Sequence, residues 1–97
     1  MSGDIFYADF ERIRKVDGYV FYWELVDFLK PITFGYLSAK TYNQADCKLF
    51  RYETLSFSYH KEPMGEGRGD ISNEKQDWVY PPPDSVTENV LKSVCSR

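Results

Sequence analysis

The chain has 97 residues, with 42% hydrophobic and 28% charged residues and a net charge of −3; this is one domain's worth of globular composition. With a sequence pI of about 5.1 and no basic stripe, it lacks the footprint of a nucleic-acid binder. No apolar run approaches the roughly 18 residues of a membrane-spanning helix, so no transmembrane segment is expected. Met1-Ser2-Gly3-Asp4 has neither the basic nor the apolar region of a signal peptide, which fits a mature or trimmed chain, or a cytosolic one. The aromatic share of 18% is high. Aromatic side chains fit a pleated, half-buried surface, so a sheet is favoured over a helix bundle.

Ile5-Phe6-Tyr7-Ala8 reads as the first strand. Residues 12–16 alternate, and Asp17-Gly18 then gives the strongest hairpin signal in the chain. Residues 12–16 and 19–27 should therefore pair antiparallel. The basic cluster Arg12-Ile13-Arg14-Lys15 is then a solvated strand face. In 19–27 the side chains of Tyr19, Phe21, Trp23 and Leu25 share one face, and Val20, Tyr22, Glu24 and Val26 the other. Both faces are largely apolar, which predicts a central strand. The Tyr19/Phe21/Trp23 stripe reads as core beneath a helix. A base-stacking platform is disfavoured by the acidic balance.

Pro31 should end that strand. Residues 34–42 read as another strand, and Asn43-Gln44-Ala45-Asp46 as a polar turn. Residues 47–59 are long enough for a full strand, but their apolar parity flips, and a β-bulge near 51–54 would repair it. Residues 61–76 form a charged, glycine-containing loop. Asp77-Trp78-Val79-Tyr80 is a short strand or an aromatic latch, and Pro81-Pro82-Pro83 is stiff polyproline-type chain.

Ser85-Val86-Thr87-Glu88 has capping-box spacing, with Ser85 as N-cap and Asp84 as a rival. Val86, Val90, Leu91 and Val94 follow as one helical stripe, with Cys95 on its border. The expected fold is α+β: an antiparallel sheet of about five or six strands with one C-terminal helix packed on a face. One domain spans 1–97, with strands in about 5–59 and 77–80, a loop at 61–76 and a helix at about 85–95.

No constellation in the chain announces catalysis, and no catalytic residue, metal ligand set or cofactor is expected. His60 is the sole histidine and reads as a packing or surface residue at a strand end. No G-x-S-x-G elbow is present. Gly65-Glu66-Gly67-Arg68-Gly69-Asp70 fails as a phosphate loop, because no Lys-Ser or Lys-Thr follows it. Arg68-Gly69-Asp70 matches an integrin-recognition tripeptide, which is also a common accident of glycine-rich loops. Met64, Glu66, Arg68, Gly69 and Asp70 are the candidate binding loop. Cys47 and Cys95 permit one intramolecular pairing. Two unrelated buried thiols in a reduced cytosol are the alternative.

The order and spacing of several motifs resemble the bacterial surface-adhesin protein E family. They are Tyr7-Ala8-Asp9, Val20 with Trp23, Ser38, Lys40 and Tyr42 leading into Asp46-Cys47, Trp78 with Pro82, and the Ser-led helix ending in Val94-Cys95. The resemblance implies that the helix is tethered to the sheet by a Cys47–Cys95 disulfide. It implies an oxidising compartment, the periplasm or cell surface, reached after removal of a signal peptide absent from this chain. It also implies a non-enzymatic binding module with an extracellular matrix or host protein as partner. The rival expectation is a structural periplasmic protein that self-associates through its sheet edges as a homodimer.

Overall fold

The computed structural model describes residues 4–73 and 76–97. Met1 to Gly3, where the leader was sought, and Glu74 and Lys75, at the end of the expected loop, lie outside the described residues. Six strands, β1 (Ile5–Ala8), β2 (Arg14–Val16), β3 (Tyr19–Asp27), β4 (Ser38–Asp46), β5 (Arg51–His60) and β6 (Gly69–Ser72), precede one helix, α1 (Val86–Cys95). All pairings are antiparallel, in the order β1-β3-β4-β5-β6, and β2 continues the β1 edge beside β3. The α+β architecture is as the sequence predicts.

The hairpin of β2 and β3 turns on Asp17 and Gly18, whose φ angles are 50° and 85°. Two consecutive left-handed residues match the right-handed twist of the flanking strands, and Asp-Gly tolerates them. β3 is central: Tyr19 to Asp27 pair along their whole length with Asp46 to Ser38 of β4.

Residues 43–46 are not a turn. They complete β4, because Asn43 and Ala45 face the interior and find partners there. Asn43 is buried, donates to Thr41 Oγ1 at 3.1 Å and accepts from Thr54 Oγ1 at 2.7 Å. The strand expected at 34–42 starts only at Ser38, after a 3-10 turn at Thr33–Gly35. The strand expected from residue 47 starts at Arg51, because the chain first reverses through 47–50, where Asp46 accepts from Leu49 N. The bulge is real but lies at Leu55. Tyr42 faces Ser56 and Asn43 faces Thr54, which leaves Leu55 unpaired and resets the parity of β5.

The core lies between α1 and one half of one sheet face. Val20, Tyr22, Ala45, Leu91 and Val94 form its buried centre, with Ile13, Phe50, Tyr52, Val90 and both cysteines against it. Ser85 caps α1 by accepting from Glu88 N at 3.1 Å, and the Glu88 side chain reaches back to Asp84 N. Cys47 and Cys95 are bonded, with 5.6 Å between their Cα atoms.

The aromatic stripe corrects the expectation most sharply. α1 covers Val20 and Tyr22; Tyr19, Phe21 and Trp23 point to the opposite face. The helix needs a close approach, and β4 offers Ala45 and Asn43 on the Val20 side but Tyr42 and Gln44 on the other.

Candidate functional site

The face turned away from α1 carries rings in register across β3 and β4. Trp23 lies 4.8 Å from Tyr42 between ring centroids, and Phe21 stacks on Tyr42 at 6.2 Å. Arg14 sits over Phe21. At one end of this face Trp78 packs on Tyr19 under the Arg51 guanidinium, 4.4 Å from the ring centre. Arg51 is fixed by Asp46 at 3.2 Å. The backbone beside Trp78 is held by reciprocal Tyr52–Val79 hydrogen bonds of 3.0 and 2.7 Å. Residues 77–80 are thus an aromatic latch with one bridging residue, and not a strand of the sheet.

At the other end of the face the expected loop is largely ordered onto the sheet. Pro63–Gly65 make a 3-10 turn. Ser38 is fully buried; its hydroxyl donates to Glu62 O at 2.6 Å and accepts from Gly65 N at 2.8 Å. Met64 N donates to Asp27 at 2.9 Å. Gly65 has φ 68° and passes so close to Lys40 and Leu25 that a Cβ there would displace the Lys40 side chain. β6 then pairs with the end of β5, Gly69 opposite His60 and Asp70 opposite Tyr59.

These contacts sort the candidate loop residues. Met64, Glu66 and Arg68 are exposed. Glu66, Arg68 and Asp70 line a shallow cleft of about 370 Å³ with Lys61, Glu62 and Gly67. Gly69 is pressed against the His60 ring. Asp70 accepts a hydrogen bond from the Tyr36 hydroxyl, and this bond chiefly raises the Tyr36 pKa. Gly69 and Asp70 therefore open β6 with the Asp70 carboxylate engaged, and only Arg68 stays in the exposed loop before it.

His60 is buried, and its Nε2 lies 2.8 Å from Ser58 Oγ. That contact and the Gly69 backbone against its ring make it a packing residue. Among the described residues, no three of His, Cys, Asp and Glu converge as a metal-ligand set.

One recessed feature was not foreseen. Tyr7, Ala8, Asp9, Arg12, Trp23, Glu24, Leu25 and Lys40 line a cleft of about 410 Å³ where β1 ends and a 3-10 turn at Phe10–Arg12 begins, and Glu24 alternates with Trp23 and Leu25 along β3. Tyr7, Leu25 and Lys40 face one another across three strands. Only long-range register brings them together, so nothing in local sequence marked the site.

A helix that shields half of one face, and an opposite face left rich in partly exposed rings, define a small α+β domain. The chain belongs to the surface-adhesin protein E family: the model of that family, described as Surface-adhesin protein E, matches residues 1–96. Solved structures share the fold. Crystal form II of Haemophilus influenzae protein E aligns with TM-score 0.76 and 18% identity over 94% of this chain and 80% of that one. The selenomethionine form of the same protein aligns with TM-score 0.75 and 18% identity over 100% of this chain and 88% of that one. No curated protein matches the chain significantly.

Proposed function

We propose that the protein is a non-enzymatic binding module of the bacterial surface or envelope. It holds an extracellular matrix or host protein through the open aromatic face and the adjoining 61–76 loop. The observation that carries this reading is the Phe21–Tyr42–Trp23 cluster on the face that α1 leaves uncovered. Large exposed rings are enriched at protein interfaces, where they bury much area at low entropic cost. Family membership supports the adhesive role. Among the described residues, no helix is long and apolar enough to cross a membrane. The test is surface plasmon resonance against a panel of purified matrix proteins. A Phe21→Ser, Tyr42→Ser double variant should lose the binding, and Glu66→Ala with Arg68→Ala should weaken it. A bound partner indifferent to both pairs of changes would remove this surface from the account.

The β1 edge favours a second reading, self-association. Ile5, Phe6 and Tyr7 are all exposed on a strand whose outer edge pairs with no other strand among the described residues, the arrangement that invites strand addition. Sedimentation equilibrium decides it: a monomer at high concentration rules it out.

A further inference from the structure

The cleft at the end of β1 combines three chemistries within one wall. Its aromatic part is Trp23, 38% exposed, and Tyr7, 41% exposed. Its cation is Lys40. The backbone of Gly65 passes close to the aliphatic stem of Lys40. Lys40 has no ion-pair or hydrogen-bond partner among the described residues. Its rim is Asp9 with Arg12, an ion pair of 3.4 Å whose side chains are 38% and 78% exposed; so exposed a pair is weak and readily exchanged.

We infer that this cleft binds a sugar ring bearing a carboxylate. The apolar C–H face of a pyranose packs on an indole or phenol ring. Its hydroxyls donate to a carboxylate such as Asp9. Its carboxylate takes Lys40 and draws Arg12 as a second donor, in charge-assisted bonds of the strong kind. The volume suits one or two sugar units and lies within the range of small-ligand sites.

A nucleic acid fits less well, because Tyr42 already contacts both Phe21 and Trp23, and the chain has net charge −3. An extended peptide fits less well, because the β3 carbonyl beside the cleft, Trp23 O, already accepts from Asp9 N at 3.0 Å. The Asp9 carboxylate would also oppose an acidic peptide side chain, which has no hydroxyls to offer it.

The inference shares with the proposed function the premise that this face is open to ligands, but the two fail separately. Matrix-protein binding without sugar binding overturns only the inference; sugar binding without any protein partner overturns only the protein-binding reading.

The experiment is an NMR titration of the 15N-labelled protein, backed by calorimetry. The probes are 3′-sialyllactose, a hyaluronan tetrasaccharide, neutral lactose and N-acetylglutamate amide. At least one carboxylated sugar should shift the Trp23 indole signal and the amides of Leu25 and Lys40. Which of them does so assigns a terminal or a chain-internal acidic sugar. Trp23→Ala and Lys40→Ala should each weaken binding by about tenfold or more. Trp23→Phe and Lys40→Arg should retain most of it, and Lys92→Ala, on α1, should change nothing. Added salt should weaken it. The inference is overturned if neither carboxylated sugar shifts these signals, if lactose binds equally well, or if N-acetylglutamate amide matches the sugars.

Discussion

Cys95, in the last turn of α1, is bonded to Cys47 in the reversal that follows β4. The bond joins the only helix among the described residues to the strand end that lies beneath it. The pair is separated by 48 residues, so in the chain-entropy account it removes about 4 kcal/mol of freedom from the unfolded state. That is a large share of the stability of a domain this size. Cys47→Ser, Cys95→Ser should therefore shift the urea midpoint strongly downward, and reductant should do the same to the wild type. Intact mass after alkylation under denaturing conditions should show both thiols blocked until they are reduced. Free alkylation of protein prepared under oxidising conditions would contradict the bond.

Gly65 is held where a side chain would be strained and would displace Lys40. Its φ is 68°, and a Cβ would collide with Lys40 and come within 3.3 Å of Leu25. Gly65→Ala should cost about 1–3 kcal/mol of stability from backbone strain alone. It should also lift the 63–65 turn away from Ser38. Hydrogen exchange at the Gly65 and Met64 amides, which bond to Ser38 and Asp27, reads this directly. Unaltered protection in the variant would mean that the turn is not anchored there.

Much of this architecture was legible from the chain. The Asp17-Gly18 hairpin, the capped helix and the alternation in β3 are local signals, and each appears where it was expected. The errors fell where local chemistry was overruled. Asn43 and Asp46 look like turn residues, but Thr41, Thr54 and Arg51 satisfy them inside the sheet. The face of Tyr19, Phe21 and Trp23 looks like core because it is the more aromatic one. The helix instead chose the face on which β4 is small, and reading residues 43–46 as a turn hid that clue. The loop after β5 was recognisable by its glycines, but its attachment through Ser38 was not. The cleft around Lys40 depends on the three-strand register of Tyr7, Leu25 and Lys40, which no single segment displays.

Tyr22 is fully buried, and its hydroxyl finds no hydrogen-bond partner among the described residues. Burial raises its pKa, with help from the charge of Glu24 nearby. A buried hydroxyl left unpaired costs about 1–3 kcal/mol relative to one that is satisfied. Tyr22→Phe keeps the ring and removes the unmet group. It should therefore leave stability unchanged or raise it slightly, which is unusual for a change at the centre of a core. Chemical denaturation measures it, and a clear loss would reveal a partner for the hydroxyl in solution.

Glu24 stands two residues further along the same face of β3, close enough to Tyr22 and Tyr52 to raise the pKa of both. Its own pKa is pushed up from 4.5 to about 7, because burial disfavours the charged form. Two hydroxyls lie near it: that of Tyr22, and that of Tyr52 from β5, which is itself bonded to Thr87 of α1. Between pH 4.5 and about 7 the unfolded chain has released this proton while the folded chain keeps it. Folding therefore binds a proton in that window, and this group's contribution to stability falls as pH rises through it. Below the window the penalty is absent. Above it the penalty is complete, at about 3 kcal/mol. Glu24→Gln is nearly isosteric and carries no charge at any pH. The difference in unfolding free energy between variant and wild type should thus be small at pH 4, grow in the variant's favour up to pH 7 and then level off. A difference that stays flat across this range would mean that Glu24 is solvated in the folded protein.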